Sequence, residues 1–155
     1  NGIKLNGNIE FHDDEGVNQF QFTQHYTIDQ AWIKSENDGR YHCSFYPYMM
    51  ATPLRKPADL QRLCPFQVTY PQHLILRTEI TLPKGVEFTY TKTDKEVTDN
   101  AFTYRKTSSR HGSETLILEY GYQSMAEVVP ANRMAEYLYN VDQVSKSLGD
   151  GFSWR

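Results

Sequence analysis

The sequence predicts a mainly β fold, an antiparallel β-sandwich closed by one C-terminal α-helix. Three features predict it. Apolar and polar residues alternate with period 2 in segment after segment between Ile3 and Tyr122. Clusters of Gly, Pro, Asn, Asp and Ser stand between those segments. After Pro130 the apolar spacing becomes helical.

The longest series of strands runs from Pro71 to Ser124. Leu74, Leu76, Thr78, Ile80 and Leu82 alternate with Ile75, Arg77, Glu79 and Thr81, as in a half-buried strand. Pro83-Lys84-Gly85 turns the chain, and Val86, Phe88 and Tyr90 repeat the alternation. Phe102 and Tyr104 follow Asp99-Asn100, and Leu116, Leu118, Tyr120 and Tyr122 follow Ser108–Gly112. Taken in order, these segments form an antiparallel meander.

The N-terminal region reads the same way. Ile3, Leu5, Ile9 and Phe11 fall on odd positions, which predicts a strand with one buried side; His12-Asp13-Asp14-Glu15-Gly16 caps a hairpin, so residues 1–16 are its first strand and turn. Phe20, Phe22, Tyr26 and Ile28 form the return strand. The acidic cluster lacks the alternate oxygen-ligand spacing of a calcium loop, so no metal site is assigned. Asn37-Asp38-Gly39 marks a turn before the Tyr41, Cys43, Phe45 strand, and Pro47, Pro53 and Pro57 make the next stretch irregular. Phe66, Val68 and Tyr70 form a short strand.

Met134, Tyr137, Leu138, Val141, Val144 and Leu148 lie within about 120° on a helical wheel, giving a helix over 132–148 led by Pro130 and stopped by Gly149. Alone it is marginal in water, so it must dock its apolar face on the sheet. Tyr139 sits about 170° from the centre of that arc, which makes it the candidate interdomain contact.

With 155 residues the chain fits a single domain, residues 1–155, able to bury a core without metals or a disulfide framework. Eleven tyrosines and eight phenylalanines favour strands. Sixteen basic and nineteen acidic residues give a formal charge of -3 with the signs interspersed, which leaves no electrostatic footprint for nucleic acid. No apolar run is long enough to span a bilayer. The chain opens on Asn1-Gly2, not on methionine and a leader, and reads as a segment of a longer protein.

No motif for catalysis, cofactor or metal binding is present: there is no C-x-x-C, H-E-x-x-H, G-x-S-x-G or phosphate-cradling glycine loop. Cys43 reads as an inward strand position, Cys64 precedes a proline, and His42 points away from Cys43 across the strand, so both cysteines are expected to be structural. Export of the parent protein would allow a Cys43–Cys64 disulfide. The aromatics Trp32, Tyr46, Tyr48, Phe152 and Trp154 are expected in the core, with Tyr139 the exception; if exposed, such rings would stack on glycans or anchor a protein partner.

From Tyr70-Pro71 to Trp154 the chain resembles the C-terminal β-rich domain of unknown function in bacterial transglutaminase-like proteins. The resemblance is carried by Tyr70-Pro71, Leu82-Pro83-Lys84-Gly85-Val86, Phe102-Thr103-Tyr104, Leu116-Ile117-Leu118-Glu119-Tyr120 and Val129-Pro130-Ala131 followed by Glu136-Tyr137. It covers slightly over half of the chain. In that family a catalytic Cys-His-Asp set belongs to an upstream core, and none of its motifs matches here. The resemblance therefore implies a non-catalytic accessory domain that packs on, or presents substrate to, an upstream transglutaminase-like core in the periplasm or cell envelope. Two alternatives stand beside it: a glycan- or envelope-binding module using exposed aromatics, and a cryptic enzyme with a Cys/His pair assembled across strands.

Overall fold

The computed structural model describes residues 2–155 except 18, 30, 59–62, 83 and 87. The chain is mainly β, its sheets are antiparallel, and one substantial helix lies near the C-terminus of a sandwich-like fold. It divides into two compact units, Asn1–Cys43 and Ser44–Arg155.

In the first unit β1 (Ile3–Asp14) and β2 (Gln19–Ile28) form an antiparallel hairpin. Asn6 pairs with His25 and Glu10 with Thr23, so four steps on one strand match two on the other, and the irregularity contains Gly7 at φ 73°. On either side of it the apolar residues stand opposite each other, as in Ile3↔Ile28, Leu5↔Tyr26 and Phe11↔Phe22. The expected burial of one side does not occur: β1 is exposed along its whole length, Phe11 at 75%. A two-stranded ribbon brings no second layer of its own to cover its apolar face. A second hairpin joins β3 (Ile33–Lys34) to β4 (Tyr41–Phe45) through the expected Asn37-Asp38-Gly39 turn, closed by the Ser35 amide donating to the Arg40 carbonyl at 2.8 Å.

The second unit is built on a four-stranded sheet. Its elements before the helix are a single turn α1 (Tyr48–Ala51), β5 (Phe66–Gln67), β6 (His73–Thr81), β7 (Phe88–Tyr90), β8 (Lys95–Thr98), β9 (Phe102–His111), β10 (Thr115–Ser124) and β11 (Val128–Val129). A 3-10 turn, Ala131–Arg133, leads into α2 (Met134–Ser145), and β12 (Asp150–Trp154) ends the unit. The sheet order is β6-β10-β9-β8. The simple meander is therefore corrected in two ways. β7 leaves the sheet to pair with β12, and the place beside β9 is taken by β8, whose four residues carry too little alternation to announce a strand. Of the Pro83-Lys84-Gly85 turn, Pro83 lies outside the described residues, while Lys84 and Gly85 do form a turn.

One face of this sheet is the core. Leu116, Leu118, Tyr120 and Tyr122 from β10 and Phe102 and Tyr104 from β9 are buried, as the alternation predicts. Met134, Tyr137, Val141, Val144 and Leu148 cover them from the helical segment, and the Tyr137 ring meets Phe102 edge-on at 5.9 Å. Each such side chain contributes about 1.5–3 kcal/mol by leaving water, which explains why a 12-residue helix is stable here. The Tyr137 hydroxyl donates to the Arg55 carbonyl at 2.8 Å, tying the proline-rich stretch to the helix.

Candidate functional site

Tyr139 lies on α2 with 63% of its surface exposed and makes no hydrogen bond or ring contact among the described residues. Its neighbours on the helix are engaged: Asn140 donates to Asp99 at 2.8 Å and Glu136 pairs with Arg133 at 2.7 Å. The geometry leaves a rigidly based aromatic ring facing solvent.

The other singled-out aromatics divide. Phe152 is buried and stacks on Phe45 with ring centroids 5.6 Å apart, and Trp32 and Trp154 are half-buried. Tyr46 and Tyr48 depart from the expected core placement: both are exposed, Tyr48 at 77%, and their rings meet edge-on at 4.8 Å. The reason is local. Pro47 and Met50 are buried and anchor this turn, which turns the two tyrosines outward.

No disulfide joins Cys43 and Cys64; Cys43 is half-buried and Cys64 exposed. The His42 ring hydrogen-bonds Asp38 at 3.1 Å. The Arg40 amide donating to Asp38, with His42 beside it, holds that carboxyl below its ordinary range. In the acidic hairpin turn, Asp14 accepts from the Gly16 amide at 3.0 Å. Among the described residues no three His, Cys, Asp or Glu side chains are grouped to hold a metal ion, and no helix is long and apolar enough to cross a membrane.

Sequence reasoning missed one constellation. Phe102, Tyr104, Lys106 and Ser108 all point into the core, so the strand phase carries a lysine inward. Lys106 Nζ lies 2.8 Å from Asp150 Oδ1, with 0% and 1% of the two side chains exposed. The ammonium also donates to the Ser147 carbonyl at 2.7 Å and stands 5.7 Å from the centre of the Tyr120 ring. Asp150 accepts from the Tyr120 hydroxyl, from Thr93 at 3.2 Å and from Tyr90 at 3.3 Å. Burial, then the hydrogen bond to Asp150, pushes the Tyr120 phenol well above its ordinary range. Burial pushes Tyr104 up to about 12 against a hydrogen bond from Ser147. The arrangement fastens β12 and the end of the helical segment to β9 and β10. Its charges are satisfied internally and closed to solvent, so it serves to position β12.

Comparison with protein-family models, with curated proteins and with solved structures finds no match for this chain.

Proposed function

We propose that this chain is a non-catalytic interaction domain that packs on, or presents substrate to, a transglutaminase-like core preceding it in an exported bacterial protein. The observation that carries the reading is the uncovered apolar surface of the β1–β2 ribbon, where Ile3, Phe11, Phe20 and Phe22 are each more than half exposed. A hairpin of this kind is marginal by itself in water and gains stability when a partner covers its apolar side. Exposed Tyr139 is the second anchor. The resemblance carried by the strands and the proline-led helix names the partner as the core domain of the same polypeptide.

The reading is tested by comparing the chain alone with the polypeptide that includes the core. Phe11→Ser with Phe22→Ser, and separately Tyr139→Ala, should each change the stability of the lone chain by about 0.5 kcal/mol or less per site. In the longer protein each anchor should cost about 1–2 kcal/mol or more, measured by urea denaturation. Equal small losses in both contexts would remove the docking role. Thiol labelling tests the non-catalytic part: a cysteine that reacts rapidly at neutral pH would favour the enzyme alternative.

A further inference from the structure

The solvent face of the four-stranded sheet contains a gap that neither the fold nor the docking role requires. Two neighbouring cross-strand rows span it, Ile75–Gly121–Arg105–Glu96 and His73–Gln123–Thr103–Thr98. Gly121 lies inside β10 without a positive φ, and a Cβ placed there would meet nothing within 4 Å. Glycine weakens a strand interior and often marks a place where a ligand approaches the backbone closely. Here a trough of about 300 Å³ opens over the strands, with Gly121 in its lining.

His73, Glu96, Thr98, Thr103, Arg105 and Gln123 surround it. Among the described residues none of these six side chains makes a hydrogen bond or ion pair. Glu96 and Arg105 face each other directly across β8 and β9, yet form no bridge. One row further along the same face, Arg77 holds Glu119 at 2.8 Å and Glu79 at 3.5 Å, so unpaired charge is not general to this surface.

The chemistry of the trough selects its ligand. One carboxylate and one guanidinium balance, so an anion would meet Glu96 and a cation Arg105. Histidine, glutamine and two threonines both donate and accept hydrogen bonds, and exposed Ile75 supplies an apolar edge. A neutral chain of hydroxyls matches this set, because each hydroxyl also donates and accepts. We propose that the Gly121 trough binds a neutral saccharide laid across the sheet. Its lining shares no residue with the hairpin, with Tyr139 or with the exposed Tyr46–Tyr48 pair.

Titration calorimetry of the intact chain with soluble neutral hexasaccharides of glucose, mannose and N-acetylglucosamine tests the proposal, with hexagalacturonate as the acidic comparison. At least one neutral hexasaccharide should bind saturably and more tightly than the acidic one. Gly121→Val, whose Cβ would meet nothing within 4 Å, should keep or raise the melting temperature while weakening binding at least tenfold. Glu96→Ala with Arg105→Ala, both at exposed positions, should weaken it similarly and answers the question if the valine variant does not fold. Tyr48→Ala should leave affinity unchanged. No binding of any neutral probe at millimolar concentration, tighter binding of the acidic probe, or binding that survives both trough variants would overturn the proposal, as would loss of binding in Tyr48→Ala.

Discussion

Lys106→Met is expected to destabilise the chain by about 3–5 kcal/mol, because it leaves Asp150 buried without its counter-charge. The Ser147 carbonyl would lose its donor at the same time. The loss should exceed that of a typical surface lysine many times over, since surface changes usually stay within about 0.5 kcal/mol. Adding Asp150→Leu removes the stranded charge but leaves the hydroxyls of Tyr120, Thr93 and Tyr90 without their acceptor, so recovery should be partial. The triple variant with Tyr120→Phe should come within about 1–2 kcal/mol of the unmodified chain, because a well-packed apolar replacement avoids the desolvation cost of the pair. Urea denaturation measures all three. A loss below about 1 kcal/mol in Lys106→Met would mean that water reaches the pair in solution.

The same lysine illustrates what could be read before the fold was known. Apolar alternation in β6 and β10 was legible because nine or ten residues repeat it without interruption, and the structure buries Leu116, Leu118, Tyr120 and Tyr122 accordingly. The inward phase of Phe102 and Tyr104 also extends to Lys106, so a buried charge was signalled there; its partner was not, because Asp150 lies in a different strand far along the chain. β7 was placed in the meander but pairs with β12, since three alternating residues say nothing about which edge they join. The N-terminal hairpin misled for the opposite reason. Its alternation is strong, but a period reports that one face is apolar, and whether a layer covers that face is decided elsewhere. The exposure of Tyr139 was legible because a full helical wheel fixes the phase, whereas Tyr46 and Tyr48 lie in a proline-bounded turn with no period to orient them. Gly121, between two buried tyrosines in a strand, carried a signal of its own that alternation alone passes over.

Raising the pH above 10 is expected to unfold the second unit cooperatively. Burial, and then the charge of Asp99, pushes Tyr122 up to about 12; Tyr104 reaches the same range, and Tyr120 and Tyr137 are raised further, again chiefly by burial. The folded chain therefore keeps phenolic protons that the unfolded chain releases near the ordinary value of 10. For a group raised in this way, the stabilisation is fully present below pH 10 and disappears as pH rises toward 12. Each such tyrosine contributes a slope of about 1.4 kcal/mol per pH unit, so four together give about 5 kcal/mol per unit. Because Tyr104 and Tyr122 ionise in the fold near 12, the four together cost about 10 kcal/mol by pH 12, enough to unfold a domain with about 5–10 kcal/mol of stability. Tyrosinate absorbance and far-ultraviolet circular dichroism should change together in a steep transition. Tyr104→Phe removes one titrating group while Ser147 retains its bond to the Val144 carbonyl at 2.7 Å, so the transition should become shallower. Gradual ionisation of all the tyrosines around pH 10, with the dichroism unchanged, would show that these rings are open to water.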